Sequence, residues 1–423
     1  MIDRTSPPIV GSFPDVINIQ RAESHQLKNG IPLFLLRAGT QPVVKLELLF
    51  KYGGNGYEDK LGQSFIANKL LNAGTSQYSS QLISSKLAEF GASIEITPGF
   101  DSSSISLMCL EKHLIAVLPV FISMTMETSY PEEELRREKD LQITNLRIQH
   151  TKTNVKASKS FRRSIFSSEH PYGNVLHEEA LEHLDQSDMH DFHKSRLLDY
   201  DIVVTGSFSD STLLFIKEAF ESVEINQVNF EKAIEVPEIL PPVKLREPID
   251  GSVQGSIRIG KRISSKNDEK YIQNLIPNHI LGGYFGSRLM KNIREDKGLT
   301  YGIYSSIVSF KKASYFVVGA DVKRELIDLA IDEIYKELDT LANVPIGQEE
   351  LSRVKNHMIG SHQSELNSAF ALSSKFKNIH EYSLGYEYYD HYLDTIKNVN
   401  PDQIMSSAKE HFSPSDMTEI VVG

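Results

Sequence analysis

The feature that most constrains this chain is a set of matched glycines about two hundred residues apart. The strand-like run "DYDIVVTG" ends at Gly206, and "MTEIVVG" ends at Gly423, 217 positions later. Earlier in each half, "ANKLLNAG" has a counterpart in "PNHILGGY", with Asn68 and Asn278 210 apart, and Gly91 precedes Gly298 by 207. Near-constant offsets kept in order indicate a diverged internal repeat. Each closing strand follows a helix with a start signal: Ser187 in "DQSDMHDFH", and Asn400 with Pro401 in "NVNPDQIMSSA". A chain of 423 residues also exceeds what one compact core usually holds.

The pattern within each repeat alternates strands and helices. "IPLFLLRAG" and "VVKLELLFKYG" are predicted strands leading into a helix over 62–73, where Phe65, Ile66, Leu70 and Leu71 recur at helical spacing. A second helix, "SSQLISSKLAEFGA", ends at Gly91, and "SIEITPGFDSSSISLMCL" reads as a hairpin. Long helical stretches run to about residue 198. Four prolines in "EVPEILPPVKLREP" mark a linker. The expected organisation is therefore an N-terminal domain over 1–225, a linker over 226–248 and a C-terminal domain over 249–423. The expected fold is α+β: two homologous domains, each a mostly antiparallel sheet with helices packed on one face.

Composition narrows function by exclusion. The net charge of -11, with no long basic run, argues against nucleic acid or an anionic membrane as partner. No apolar stretch approaches a membrane span, and the N-terminus lacks a signal-peptide pattern, so the chain reads as cytoplasmic. A lone Cys109 allows neither an internal disulfide nor a cysteine-rich metal site. It reads as a small apolar residue of a strand. His190 and His193 share a helix face and could hold a metal, but no third ligand accompanies them. A solvated polar face is the simpler reading. "LGGYFGS" lacks the Lys-Ser/Thr of a phosphate loop, and no H-E-x-x-H or H-x-x-E-H is present.

Several blocks carry a family resemblance: "LKNGIPLFLL", "GGNGYEDKLGQSFIANKLLNAGT", "LAEFGASIE", "HPYG", "NHILGGYFGSRLMKNIREDKGLTYGIYSS" and the closing "IVVG". In that order they resemble the pitrilysin/insulinase zinc peptidases, which include the mitochondrial processing peptidases. The resemblance runs nearly end to end and implies a chain forming half of a clamshell. Active members carry G-x-x-H-x-x-E-H-x-x-x-x-G-T on the first helix. This chain keeps Gly62, Gly74 and Thr75, but the two zinc histidines fall at Phe65 and Lys69, the glutamate base at Asn68, and the third ligand at Asn145. Phe65 has no lone pair, an ammonium at Lys69 repels Zn²⁺, and Asn68 cannot accept a proton from water. No cofactor is expected in this chain.

In two-subunit members the subunit without the zinc motif carries an arginine and a tyrosine seven residues on. These match Arg294 and Tyr301 in "REDKGLTY". The resemblance implies that both reach the zinc site of a homologous partner and donate hydrogen bonds to the scissile carbonyl. By spacing alone, Arg294 could equally pair with Glu295, Asp296 or another carboxylate while Tyr301 packs in a sheet. The implied function is a non-catalytic subunit of a heterodimeric zinc metallopeptidase, with zinc in the partner and peptides or unfolded segments as substrates. The alternative is a purely structural or peptide-binding homodimer.

Overall fold

The computed structural model describes residues 18–223, 230 and 233–423. The N-terminal 17 residues and much of the predicted linker's first part lie outside the described residues. Six strands form the first sheet: β1 (Glu23–Gln26), β2 (Pro32–Arg37), β3 (Val43–Phe50), β4 (Ser93–Thr97), β5 (Ser103–Leu110) and β6 (Tyr200–Gly206). Five form the second: β7 (Lys244–Glu247), β8 (Gln254–Ile263), β9 (Thr300–Ser309), β10 (Ser314–Lys323) and β11 (Thr418–Val422). β7 falls inside the stretch read as linker, so the end of that stretch is paired backbone.

The strand orders are β1-β2-β6-β3-β5-β4 and β7-β11-β8-β10-β9. With β1 removed they superpose term by term. Each sheet has a single parallel pair, β2 with β6 and β7 with β11, and the rest are antiparallel. The glycine pairs sit at equivalent points. Gly91 and Gly298 have φ of 60° and 61°, and Gly206 and Gly423 have 129° and 136°. A Cβ on Gly206 would lie 2.0 Å from the Val43 carbonyl oxygen, and one on Gly423 2.4 Å from that of Gln254. Both thus admit the start of the adjoining strand where a side chain could not fit.

β6 and β11 are buried along their whole length. The reason is an exchange of helices. Each sheet packs its own half's helices on one face, and one helix of the opposite half covers the other. The helix Thr153–Phe166 lies on β8 and β11, with Ala157, Phe161 and Ile165 against Val317, Ile420 and Val422. Reciprocally, Ala369–His380 lies on β2 and β6, with Phe376 against Leu36 and Val203. Burying Phe161, Ile165 and Phe166 contributes about 2 kcal/mol each, a large share of the roughly 5–15 kcal/mol by which domains are stable.

One predicted helix start moves. Asp185, not Ser187, caps Gln186–Phe192, through a reciprocal pair with Asp188. The Asn400 cap with Pro401 in the first turn stands as predicted.

Candidate functional site

The first candidate region is the helix Gln63–Lys69. Gly62 starts it at φ +89°, where a Cβ would meet the Leu176 side chain at 2.7 Å. Asn68 is fully buried. Its amide donates to the carbonyls of Gly53 (3.0 Å) and Ser64 (2.8 Å), and its oxygen accepts from the Ser103 hydroxyl (2.7 Å). Ser64 also donates to the Gly53 carbonyl, at 2.7 Å. Asn68 therefore ties its helix to the segment after β3 and to the start of β5.

Lys69 is exposed, its ammonium 5.9 Å from the centre of the half-buried Phe65 ring one turn away. Asn145 is exposed on the helix Glu132–His150. These residues do not fit a zinc ion: an aromatic ring and an ammonium share the helix face, and the one amide nearby is inward and fully committed. The network around Asn68 escaped sequence reading. Gln63 and Ser64, polar residues in an apolar helix, were its signal.

His190 and His193 also separate by environment. His193 is buried and its Nε2 lies 2.7 Å from the Thr125 carbonyl, to which it donates. Burial pushes its pKa down to about 4. His190 is exposed, its ring perpendicular to that of Tyr130. The pair is one core histidine and one surface histidine.

The second region joins Arg294 and Tyr301. A short π-helical segment, Met290–Asp296, carries Arg294. Gly298 then reverses the chain into β9, whose second residue is Tyr301. The Arg294 guanidinium lies 5.0 Å from the Phe285 ring centre and 5.3 Å from that of Tyr301. Tyr301 is 91% exposed and Phe285 65%. Neighbouring cations are paired: Arg288 with Glu350 through two 2.9 Å bonds, and Lys297 with Glu333 at 2.6 Å. Among the described residues no carboxylate pairs with Arg294. The guanidinium is held by two π-faces and its N–H groups stay available, as does the Tyr301 hydroxyl. Phe285, within "LGGYFGS", is the member that sequence reasoning missed. An exposed aromatic in a glycine-rich turn beside this block was the available signal.

The chain is a repeated two-sheet α+β protein whose first helix keeps a glycine frame around Phe65, Asn68 and Lys69, three side chains that do not together ligate a metal. Residues 183–358 match the family model described as the peptidase M16 inactive domain. The chain is 23% identical over 361 residues to the uncharacterized zinc protease YmxG of Bacillus subtilis, covering 83% of this chain and 86% of the relative. It is 21% identical over 394 residues to the non-peptidase homolog YmxG of Helicobacter pylori, covering 90% and 89%. In fold it is similar to the peptidase M16 inactive domain of Pseudomonas fluorescens, with a TM-score of 0.87, 20% identity and coverage of 96% and 98%. No helix among the described residues is long and apolar enough to cross a membrane.

Proposed function

We propose that this chain is the non-catalytic subunit of a two-subunit zinc peptidase. It would form half of a closed chamber and present Arg294 and Tyr301 to a peptide bound at a homologous partner's zinc site. The observation that carries the reading is the uncommitted donor pair: a guanidinium without a carboxylate, beside a phenol that is 91% exposed. Buried or surface arginines kept for stability are ordinarily paired, as Arg288 is.

Zinc in the partner would polarise the scissile carbonyl and activate water. This chain's residues bind and orient. Arg294, held between Phe285 and Tyr301, keeps one direction and can donate to a peptide carbonyl oxygen as negative charge develops there. Tyr301 supplies a second, neutral donor. An extended peptide could add to a sheet edge, such as β4 or β9, each an edge strand of its sheet. The reading places the assembly in the cytoplasm.

The test mixes this chain with a homologue bearing H-x-x-E-H and follows cleavage of unfolded peptides. Activity that needs both chains supports the proposal. A mixture no faster than the zinc-bearing chain alone overturns it. A second reading, a structural or peptide-binding homodimer, is favoured by Asn68, whose position now serves packing. A tight homodimer that ignores the zinc-bearing homologue would support it.

A further inference from the structure

The second half holds a pair of histidines that neither the sequence patterns nor the proposed chamber uses. His279 lies on the helix Tyr271–Gly282 and His357 on the helix Gln348–Ser364. The His279 Nε2 and the His357 Nδ1 are 3.0 Å apart. The ring of Tyr284 stacks on His279 with centres 4.7 Å apart and planes within 2°, and also contacts His357 at 4.6 Å. The Ser361 hydroxyl lies 3.4 Å from the same His357 nitrogen. Two helices thus bring two ring nitrogens to one point, and an aromatic wall fixes the angle of one ring.

The internal repeat gives this point a meaning. The offset that pairs Asn68 with Asn278 pairs Lys69 with His279. In element order Gln348–Ser364 is the second long helix after β10, as Glu132–His150, the helix of Asn145, is the second after β5, and each contacts its own half's first helix. The imidazoles therefore meet at the second half's counterpart of the place where the first half carries Lys69 and Asn145.

We propose that His279 and His357 form a binding site for one first-row divalent transition-metal ion, with solvent in the remaining positions. Nitrogens 3.0 Å apart, each about 2.05 Å from a metal, subtend about 94°. That is the right angle of square-planar or octahedral Cu²⁺ and Ni²⁺, whereas tetrahedral Zn²⁺ needs the nitrogens about 0.3 Å further apart. The proton shared by the two rings moves to the far nitrogen of its own ring when the ion binds. His357 is exposed, so the ion has a direct path to it. The inference is independent of the peptidase reading.

Titration calorimetry of the full chain with Ni²⁺ tests it. We expect one site, weakened at least tenfold by either His279→Ala or His357→Ala, and less than twofold by His150→Ala on an exposed helix end. Because His357 is a surface residue, its replacement leaves the fold intact. The electron paramagnetic resonance spectrum of the one-to-one Cu²⁺ complex should show two equatorial imidazole nitrogens. No Ni²⁺ binding, affinity unchanged in both single variants, or a Cu²⁺ spectrum with fewer than two imidazole nitrogens would each overturn the proposal and leave the pair as a histidine–histidine hydrogen bond.

Discussion

The Lys377 ammonium of the second half lies 2.7 Å from the Glu47 carboxylate in a central strand of the first. Glu47 is almost wholly buried, and Lys45 approaches it only to 3.7 Å. One turn further along the same helix, His380 lies 2.7 Å from Asp201 of β6. In the opposite exchange, Arg258 of β8 donates to Ser158 at 3.1 Å. Charge as well as apolar surface thus ties each sheet to the other half's helix. Lys377→Met should lower stability by about 2–3 kcal/mol, because it strands a buried carboxylate. Urea midpoints measure this, and adding Glu47→Gln should recover part of the loss. A change under about 0.5 kcal/mol would mean that Lys45 suffices.

Asn68 is fully buried, and all its hydrogen bonds go to the fold. Asn68→Ala should cost about 2–3 kcal/mol by emptying space and leaving the Ser103 hydroxyl without its acceptor. Asn68→Glu should be worse, since it forces a carboxylate against the Gly53 carbonyl in a site closed to water. Circular dichroism melts of both variants decide the order. A harmless Asn68→Glu would contradict the packing described above.

Arg294 and Tyr301 should behave in the opposite way. Arg294 lacks a carboxylate partner among the described residues and Tyr301 is exposed, which predicts melting temperatures within about a degree of wild type for Arg294→Ala and Tyr301→Phe. In the mixture with a zinc-bearing homologue, Arg294→Ala should lower kcat by roughly 10²–10³, the usual cost of losing one oxyanion donor. Arg294→Lys should not restore it, because a lysine lacks the planar fork that two rings can hold. Unchanged peptidase rates in these variants would remove both residues from the reaction.

Acid should destabilise the chain through its buried histidines. Burial pushes His193 and His362 down to about 4. Both folded values lie below the unfolded value of about 6.5, so on acidification the unfolded chain takes up protons first. Stability is full above pH ~6.5 and falls toward pH ~4, by up to about 1.4 kcal/mol per pH unit for each histidine. Urea midpoints at pH 7.5 and 5.5 should show the drop. His193→Leu should reduce stability at pH 7.5 and flatten the slope below 6.5. A slope unaltered in that variant would assign the acid sensitivity elsewhere.

Much of the architecture was legible in residue types because the repeat is written in local backbone demands. Gly206 and Gly423 admit a neighbouring strand that any Cβ would block, and Gly91 and Gly298 supply matched left-handed turns. Such requirements act on single positions, so they survive divergence of the side chains around them. Strand periodicity placed the sheet segments for the same reason, and the side-chain types of Phe65, Asn68 and Lys69 already said that they do not together ligate a metal. The cap at Asp185 was misread as Ser187 because both residues can accept from a helix start, and only the reciprocal bond with Asp188 chooses between them.

What the sequence by itself determined is the repeated α+β plan and its matched glycines. Tertiary structure alone decided that Thr153–Phe166 and Ala369–His380 exchange sheets, that Asn68 is a buried tie, that Phe285 and Tyr301 hold Arg294, and that His279 meets His357. The physical reason is common to all four. An apolar stripe, an amide, an aromatic ring or an imidazole states what kind of neighbour it needs, but not which of the many neighbours in a 423-residue chain will supply it.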